Sequence, residues 1–169
     1  MHMQWQGLIA TGDGTLDTGL NDLAILPDPP GLLIEDDWAS SSLPGTDYAD
    51  TIRGSDGWDT LDGGPGQDWL YGGGGNDVIR GGDGNDRSWG GAGHDRLGGA
   101  GGADTLIGGA GDDLVWGGLQ DDRLEGGDGR DTVAGAEGDD RLRGGAGHDA
   151  IWGGAGHDGA MGGGGDDTM

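Results

Sequence analysis

The chain of 169 residues contains no cysteine and no phenylalanine. Without cysteine it can form neither disulfide bonds nor thiolate metal sites, which suits a protein that stays intact in any redox compartment. No apolar run approaches the roughly 18 residues that a transmembrane helix needs. The first residues also lack a basic segment followed by an apolar stretch. The sequence therefore predicts neither membrane insertion nor a Sec-type signal peptide.

Positive charge is scarce as well. Eight basic residues stand against 32 acidic ones, and the formal net charge is −24. Such a surface argues against nucleic acid and anionic membranes as direct partners. The 46 glycines together with this charge would by themselves predict disorder, the state of a solvated acidic tail. A folded state would need a bound cation to offset both the backbone entropy of glycine and the repulsion between acids.

Glycine and aspartate, however, recur with a fixed period of nine from residue 45 onward. The blocks begin at Gly45, Gly54, Gly63, Gly72, Gly81, Gly90, Gly99, Gly108, Gly117, Gly126, Gly135, Gly144, Gly153 and Gly162. Their sixth positions are Asp50, Asp59, Asp68, Asp77, Asp86, Asp95, Asp104, Asp113, Asp122, Asp131, Asp140, Asp149, Asp158 and Asp167. A typical block, 72–80, matches G-G-x-G-x-D-x-U-x, with U a large apolar residue. This pattern is the signature of a parallel β-roll that binds calcium.

The period predicts an all-β fold, a right-handed parallel β-roll or β-solenoid. We expect the first six residues of a block to form a loop and the last three a short strand whose eighth residue points inward. Two blocks per turn would give two sheets and about seven turns, ~33 Å long. One sheet would bury Ile52, Leu70, Ser88, Leu106, Leu124, Leu142 and Ala160. The other would bury Leu61, Ile79, Leu97, Val115, Val133, Ile151 and Met169.

Residues 1–44 do not follow this pattern, so we divide the chain into 1–44 and a β-roll at 45–169. Segments 5–10, 23–26 and 32–34 are apolar, and prolines separate the second from the third. We expect an irregular cap over the first exposed rung, since solenoids need atypical end units. A linker from a preceding domain is the alternative.

The regular aspartates are candidate calcium ligands. Ca²⁺ takes six to eight oxygens, which one loop cannot supply but two loops stacked one turn apart can. On these motifs residues 45–169 resemble the RTX (repeats-in-toxin) family, whose modules bind Ca²⁺ between blocks n and n+2. The resemblance implies that the fourteen aspartates are ligands, with matching glycines of the first, second and fourth positions. The candidate ligands of the second and fourth positions are Gly64, Gly66, Gly73, Gly75, Gly82, Gly84, Gly91, Gly93, Gly109, Gly111, Gly127, Gly129, Gly145, Gly147, Gly154 and Gly156. Seven loops along each edge leave six gaps, so we expect about twelve ions.

Several blocks depart from the pattern. The second glycine is replaced by Thr46, Ser55, Ala100 and Ala136, and the fourth by Tyr48 and Gln120. The fourth position normally needs a backbone shape that only glycine adopts freely. We therefore expect weak or absent Ca²⁺ binding at the loop around Gln120.

Other candidate sites are less regular. His94, His148 and His157 occupy fifth positions on separate turns or opposite edges, so we expect solvated side chains and no transition-metal site. Outward strand positions hold Trp69, Tyr71, Trp89, Trp116 and Trp152, with Arg87, Arg123 and Arg141 on one face. These residues either shield the sheets or form a docking surface, because exposed aromatics and arginines are enriched in binding hot spots.

No nucleophile–base constellation stands out, so the sequence predicts a non-enzymatic structural module. We expect it to fold where Ca²⁺ is millimolar, as outside the cell, and to be disordered where Ca²⁺ is scarce. The resemblance implies export by a type I secretion system. Two alternatives stay open. One is a fibre, surface-layer or virion decoration protein that self-associates end to end or docks to a larger assembly through an uncapped last rung. The other is a fragment of a secreted hydrolase, toxin or adhesin.

Overall fold

A computed structural model describes residues 31–36 and 40–169. These residues form fifteen β-strands and no helix, and accordingly none of them belongs to a helix that could cross a membrane. The strands are β1 (Leu33–Glu35), β2 (Ser42–Pro44), β3 (Thr51–Arg53), β4 (Thr60–Pro65), β5 (Trp69–Gly74), β6 (Val78–Asp83), β7 (Arg87–Ala92), β8 (Arg96–Gly101), β9 (Thr105–Ala110), β10 (Leu114–Leu119), β11 (Arg123–Asp128), β12 (Thr132–Glu137), β13 (Arg141–Ala146), β14 (Ala150–Ala155) and β15 (Gly159–Gly164).

The strands form two parallel sheets that face each other. Sheet A contains the eight odd-numbered strands in sequence order, and sheet B the seven even-numbered strands. Each strand pairs with the strand two further along the chain; Ile52 lies beside Leu70, and Leu61 beside Ile79. Two blocks therefore make one turn, and about seven turns stack into a parallel β-solenoid. The predicted architecture is confirmed.

The division of a block into loop and strand differs from the prediction. From β4 onward each strand has six residues, the last three of one block and the first three of the next. In β4, Leu61 pairs with Ile79 on one side of the corner and Gly64 with Gly82 on the other. Glycine lets the chain bend at the corner while the ladder continues past it. The loop is consequently only three residues long, at positions four to six.

The core is one cluster of inward-facing side chains from both sheets, which in the repeats are the eighth-position residues. Every residue predicted to be inside is buried except the last of each sheet, and Ser88 forms one polar rung with no exposed surface. Ala160 and Met169 were predicted to be buried but are exposed, Met169 by 72 %. No further turn within the described part of the chain covers them.

The strand spacing starts before the glycine–aspartate pattern does. Ile34 of β1 pairs with Ile52, and Leu43 of β2 pairs with Leu61, at the same 18-residue offset as in the repeats. Both side chains are 7 % exposed and belong to the core. An additional turn thus precedes Gly45, although 32–44 lack the repeat motif. The apolar segments 5–10 and 23–26 lie outside the described residues, and the choice between cap and linker stays a prediction.

Candidate metal centre

The sixth-position aspartates line both edges of the solenoid. Each one is the last residue of the short loop, and its side chain turns inward beneath the corner. All twelve aspartates from Asp50 to Asp149 are at most 3 % exposed. Asp158 and Asp167 lie in the last turn and are partly exposed. Since successive blocks alternate between the edges, the aspartates form two rows with an 18-residue spacing.

One oxygen of each carboxylate is held by the backbone of the preceding turn. Oδ1 of Asp68 accepts a hydrogen bond from Asp50 N at 2.7 Å, and Oδ1 of Asp86 accepts one from Asp68 N at 2.8 Å. The same bond recurs along both rows as far as Asp167, whose Oδ1 lies 3.0 Å from Asp149 N. These bonds fix the orientation of every carboxylate.

The second carboxylate oxygen, Oδ2, is buried without a hydrogen-bond partner in ten blocks. They are the blocks of Asp68, Asp77, Asp86, Asp95, Asp104, Asp113, Asp122, Asp131, Asp140 and Asp149. A buried polar atom without a partner costs about 1–3 kcal/mol, and more if it is charged. Ten such oxygens in two rows therefore need a counter-charge inside the fold. A row of cations would supply it.

The glycine at position one provides the space in front of Oδ2. A Cβ built on Gly63 would lie 2.5 Å from Asp68 Oδ2 and 2.5 Å from the carbonyl oxygen of Gly81, one turn on. At Gly108 the corresponding distances, to Asp113 Oδ2 and the carbonyl oxygen of Gly126, are 2.5 and 2.6 Å. A carboxylate oxygen from one turn and a carbonyl oxygen from the next thus converge on space that any side chain would fill.

The glycines at positions two and four allow the loops to stack in contact. All sixteen glycines predicted as ligands have positive φ. A Cβ on Gly84 would collide with the carbonyl oxygen of Gly66 in the turn before it. The hydrogen bonds between loops use third- and sixth-position carbonyls, as in Gly66 N to Asp83 O at 2.7 Å and Trp69 N to Asp50 O at 2.9 Å. The fourth-position carbonyl is not part of this ladder and remains able to bind a cation.

The donor set favours a hard cation. Among residues 31–36 and 40–169, no three His, Asp or Glu side chains converge on one point. A bound ion would therefore need backbone carbonyls beside its carboxylates. Ca²⁺ accepts such all-oxygen ligands in irregular geometry, whereas zinc and copper prefer nitrogen and sulfur. The residues present fit calcium.

A family comparison agrees with this chemistry. The family model of the RTX calcium-binding nonapeptide repeat matches in four copies, at residues 43–70, 62–97, 98–133 and 134–169. The chain belongs to this family. Comparisons with curated proteins and with solved structures give no match. RTX repeats bind Ca²⁺ and act as structural modules, and RTX proteins are typically secreted.

In the folded chain without metal, burial raises the pKa of the nine RTX aspartates from Asp68 to Asp140. Desolvation raises the pKa of Asp68 and Asp104 to about 6, although the hydrogen bond at Oδ1 opposes the shift. Desolvation likewise raises the pKa of Asp113 and Asp122 to about 7, and repulsion from aspartates one turn away adds to it. A divalent cation beside Oδ2 would reverse this effect and hold the carboxylates ionised.

Three RTX blocks keep the loop shape without the usual glycine. Ala100 and Ala136 at position two have φ of 80° and 90°, and Gln120 at position four has φ of 75°. Asp122, two residues after Gln120, stays buried with a free Oδ2 like its neighbours. The loop around Gln120 is thus strained but not reshaped. Its weaker binding of Ca²⁺ stays a prediction.

A second row of hydrogen bonds, at position five, was not predicted from the sequence. Asn76 Oδ1 accepts a hydrogen bond from His94 N, and His94 Nδ1 accepts one from Asp112 N, both at 2.8 Å. Side chains that accept in this way belong to Ser40, Asn76, Asn85, His94, Asp112, Asp121, Asp139 and His148. His94 and His148 are exposed but tied to the next turn, so their description as simply solvated was incomplete. The recurrence of Asn, Asp, Ser and His at this position was the available signal.

The aromatic side chains on sheet A contact one another. The rings of Tyr71 and Trp89 stack at 4.7 Å with an angle of 5°, and Trp69 lies 5.9 Å from Trp89. Arg53 and Arg87 cover the outer faces of Tyr71 and Trp69 at 5.4 and 5.1 Å. This cluster shields the sheet. Trp116 and Trp152 on sheet B are each 53 % exposed, and docking through them stays a hypothesis.

Proposed function

We propose that this RTX chain is a non-enzymatic structural module that folds when Ca²⁺ binds between its stacked loops. The observation that carries the proposal is the pair of rows of buried carboxylates whose Oδ2 atoms lack a partner. The ligands would be the sixth-position aspartates together with glycine carbonyls of the first, second and fourth positions, since a first-position carbonyl such as that of Gly81 faces the same space as Oδ2. Seven loops on each edge would hold about twelve ions, one in each gap.

Coupling of folding to binding follows from the composition. The chain must bring its aspartates within one turn of each other, inside a fold whose formal net charge is −24. Its apolar core receives only one side chain from each block. Its 46 glycines lose more backbone freedom on folding than any other residue type. Burial of apolar groups alone is too small to offset these terms. Metal binding would supply the missing free energy, as in other small metal-dependent domains.

An extracellular role is the setting that suits this mechanism. Millimolar Ca²⁺ would saturate the loops outside the cell, while scarce Ca²⁺ in the cytoplasm would leave the chain unfolded and exportable. The absence of cysteine makes the fold independent of the redox compartment. The stabilised solenoid would then act as a rigid spacer or support for a larger secreted protein.

Circular dichroism of the full chain during a Ca²⁺ titration tests the proposal. We expect a cooperative gain of β signal at millimolar Ca²⁺, reversed by a chelator. Mg²⁺ at the same concentration is the matched control and should give little change, because it prefers a smaller octahedral site with several waters. At pH 8, a β-solenoid spectrum in excess chelator, or no gain at millimolar Ca²⁺, would end the proposal.

End-to-end assembly is a second candidate. Among the described residues, strand β15 pairs only with β13, and its own Met161 is 65 % exposed. An open strand edge with apolar side chains is a template for a second copy of the chain. Sedimentation velocity in saturating Ca²⁺ at rising protein concentration should show growing oligomers. A strictly monomeric species at all concentrations would contradict this candidate.

A further inference from the structure

The first two carboxylates of the repeat differ from the ten that follow. Oδ2 of Asp50 accepts hydrogen bonds from Thr46 N at 2.6 Å and Thr46 Oγ1 at 2.9 Å. Oδ2 of Asp59 accepts one from Ser55 N at 3.1 Å. Their Oδ1 atoms are bonded as well, to Leu32 N and Ser41 N, both at 2.7 Å. Both oxygens of each carboxylate are therefore satisfied by the protein.

The backbone at position two explains the difference. Every block from Gly63 onward has positive φ at this position, including the blocks with Ala100 and Ala136. Neither Thr46 nor Ser55 is among the residues with positive φ, a region that is particularly unfavourable for a β-branched residue such as threonine. In these two loops the second N–H is aimed at the carboxylate of its own block, a local side chain–backbone bond typical of Ser, Thr and Asp.

We infer that the loops of Asp50 and Asp59 bind no cation, and that Thr46 and Ser55 are positioning residues that take the place of the ion. The inference rests on the proposed function, namely that Ca²⁺ satisfies the unpartnered Oδ2 atoms elsewhere. Since ten such atoms exist, the chain binds ten Ca²⁺ ions and not the twelve expected from the number of gaps.

Side chains on the outer face connect the same turns without metal. Arg53 lies between Glu35, at 2.6 Å from its carboxylate, and the ring of Tyr71, which in turn stacks on Trp89. This row runs along β1, β3, β5 and β7, so the first turns have contacts that do not depend on the ion.

Counting the bound ions by native mass spectrometry of the full chain in Ca²⁺ tests the inference. The wild type should saturate at ten ions. In the double variant Thr46→Gly, Ser55→Gly, the backbone at position two can adopt positive φ, so that its N–H no longer points at the carboxylate. This variant should saturate at up to twelve ions. The matched control, Ala100→Gly with Ala136→Gly, makes the same kind of change at positions that already have positive φ, and should stay at ten.

Twelve ions on the wild type, or ten on a folded Thr46→Gly, Ser55→Gly variant, would overturn the inference. No bound ion at all would instead refute the proposed function, so the two failures are distinguishable. If the glycine variant does not fold, aspartate variants decide. Asp50→Asn with Asp59→Asn should keep all ten ions, whereas Asp86→Asn with Asp95→Asn should lose at least two. Loss of ions from the first pair would also overturn the inference.

Discussion

The first two loops of the repeat and the loops that follow contain the same aspartate at the same position, yet its surroundings differ. At Asp50 and Asp59 the backbone and side chains satisfy both carboxylate oxygens. From Asp68 to Asp149 one oxygen per carboxylate is buried without a partner. The two groups differ in the residue at position two, which is threonine or serine in the first two blocks and glycine or alanine in the others. A ligand motif is thus insufficient to define a metal site, because a neighbouring donor can satisfy the same oxygen.

Removal of Ca²⁺ should have the largest effect and should divide the two regions. At 100 times its Kd, each bound ion stabilises the fold by about 2.7 kcal/mol, so losing several ions exceeds the stability of an ordinary domain. Hydrogen exchange followed by mass spectrometry at falling free Ca²⁺ would show this. Peptides covering 99–135 should lose protection first, and peptides covering 40–62 should follow at lower Ca²⁺. Simultaneous loss of protection in both regions would show that they do not differ in their dependence on Ca²⁺.

Replacement of a single aspartate should separate the regions less strongly. Asp104→Asn keeps the Oδ1 acceptor for Asp86 N but removes the free Oδ2, and should lower the free energy of unfolding in Ca²⁺ by about 3 kcal/mol. Asp59→Asn is the matched control. It should cost about 1 kcal/mol, the value of one hydrogen bond to Ser55 N. Urea unfolding in saturating Ca²⁺ measures both, and equal losses would contradict the account.

The pH dependence of the metal-free chain should reflect the rows of unpartnered carboxylates. The pKa of Asp113 in the folded chain is about 7, against an ordinary value of 3.8. Because the pKa is higher in the folded than in the unfolded chain, the protonated carboxyl group favours folding. Its contribution to the stability of the fold is fully present at low pH and is lost as pH rises from about 4 to about 7. Metal-free protein should therefore gain β signal on acidification from pH 8 to pH 5 in circular dichroism. A loss of β signal over that range would show that the carboxylates are not the main obstacle to folding.

Relief of backbone strain should give the smallest effect. Gln120 has φ of 75°, a region that costs a non-glycine residue about 1–2 kcal/mol. Gln120→Gly should stabilise the calcium-bound fold by about 0.5–1 kcal/mol once the added freedom of the unfolded chain is subtracted. Gln120→Ala, which keeps the strain, should give no gain in a thermal unfolding experiment.

Much of the fold follows from the period alone. A nine-residue repeat with one apolar position predicts two parallel sheets, an 18-residue turn and the residues of the core, and these predictions are confirmed from Ile52 to Ile151. The turn formed by Ile34 and Leu43 was missed because it keeps the strand spacing without the glycines. Pattern matching reads residue types, whereas pairing needs only an extended backbone and an apolar side chain facing inward.

The candidate site could be located from the sequence but not described in full. Regular aspartates predict two rows of oxygen ligands, and the burial of Asp68 to Asp149 agrees with that geometry. The exception made by Thr46 was not predicted, because it depends on the direction of one N–H bond. The bond between His94 and Asp112 N was missed for the same reason. The first depends on the backbone conformation of a single loop, whereas the second joins two stacked turns.

Anomalous diffraction from calcium-bound crystals tests the central claim most directly. The account predicts one calcium peak within about 2.3–2.6 Å of Oδ2 in each of the ten blocks from Asp68 to Asp149, and no peak beside Asp50 or Asp59. Water in place of ions along the two rows, in crystals grown at millimolar Ca²⁺, would contradict it.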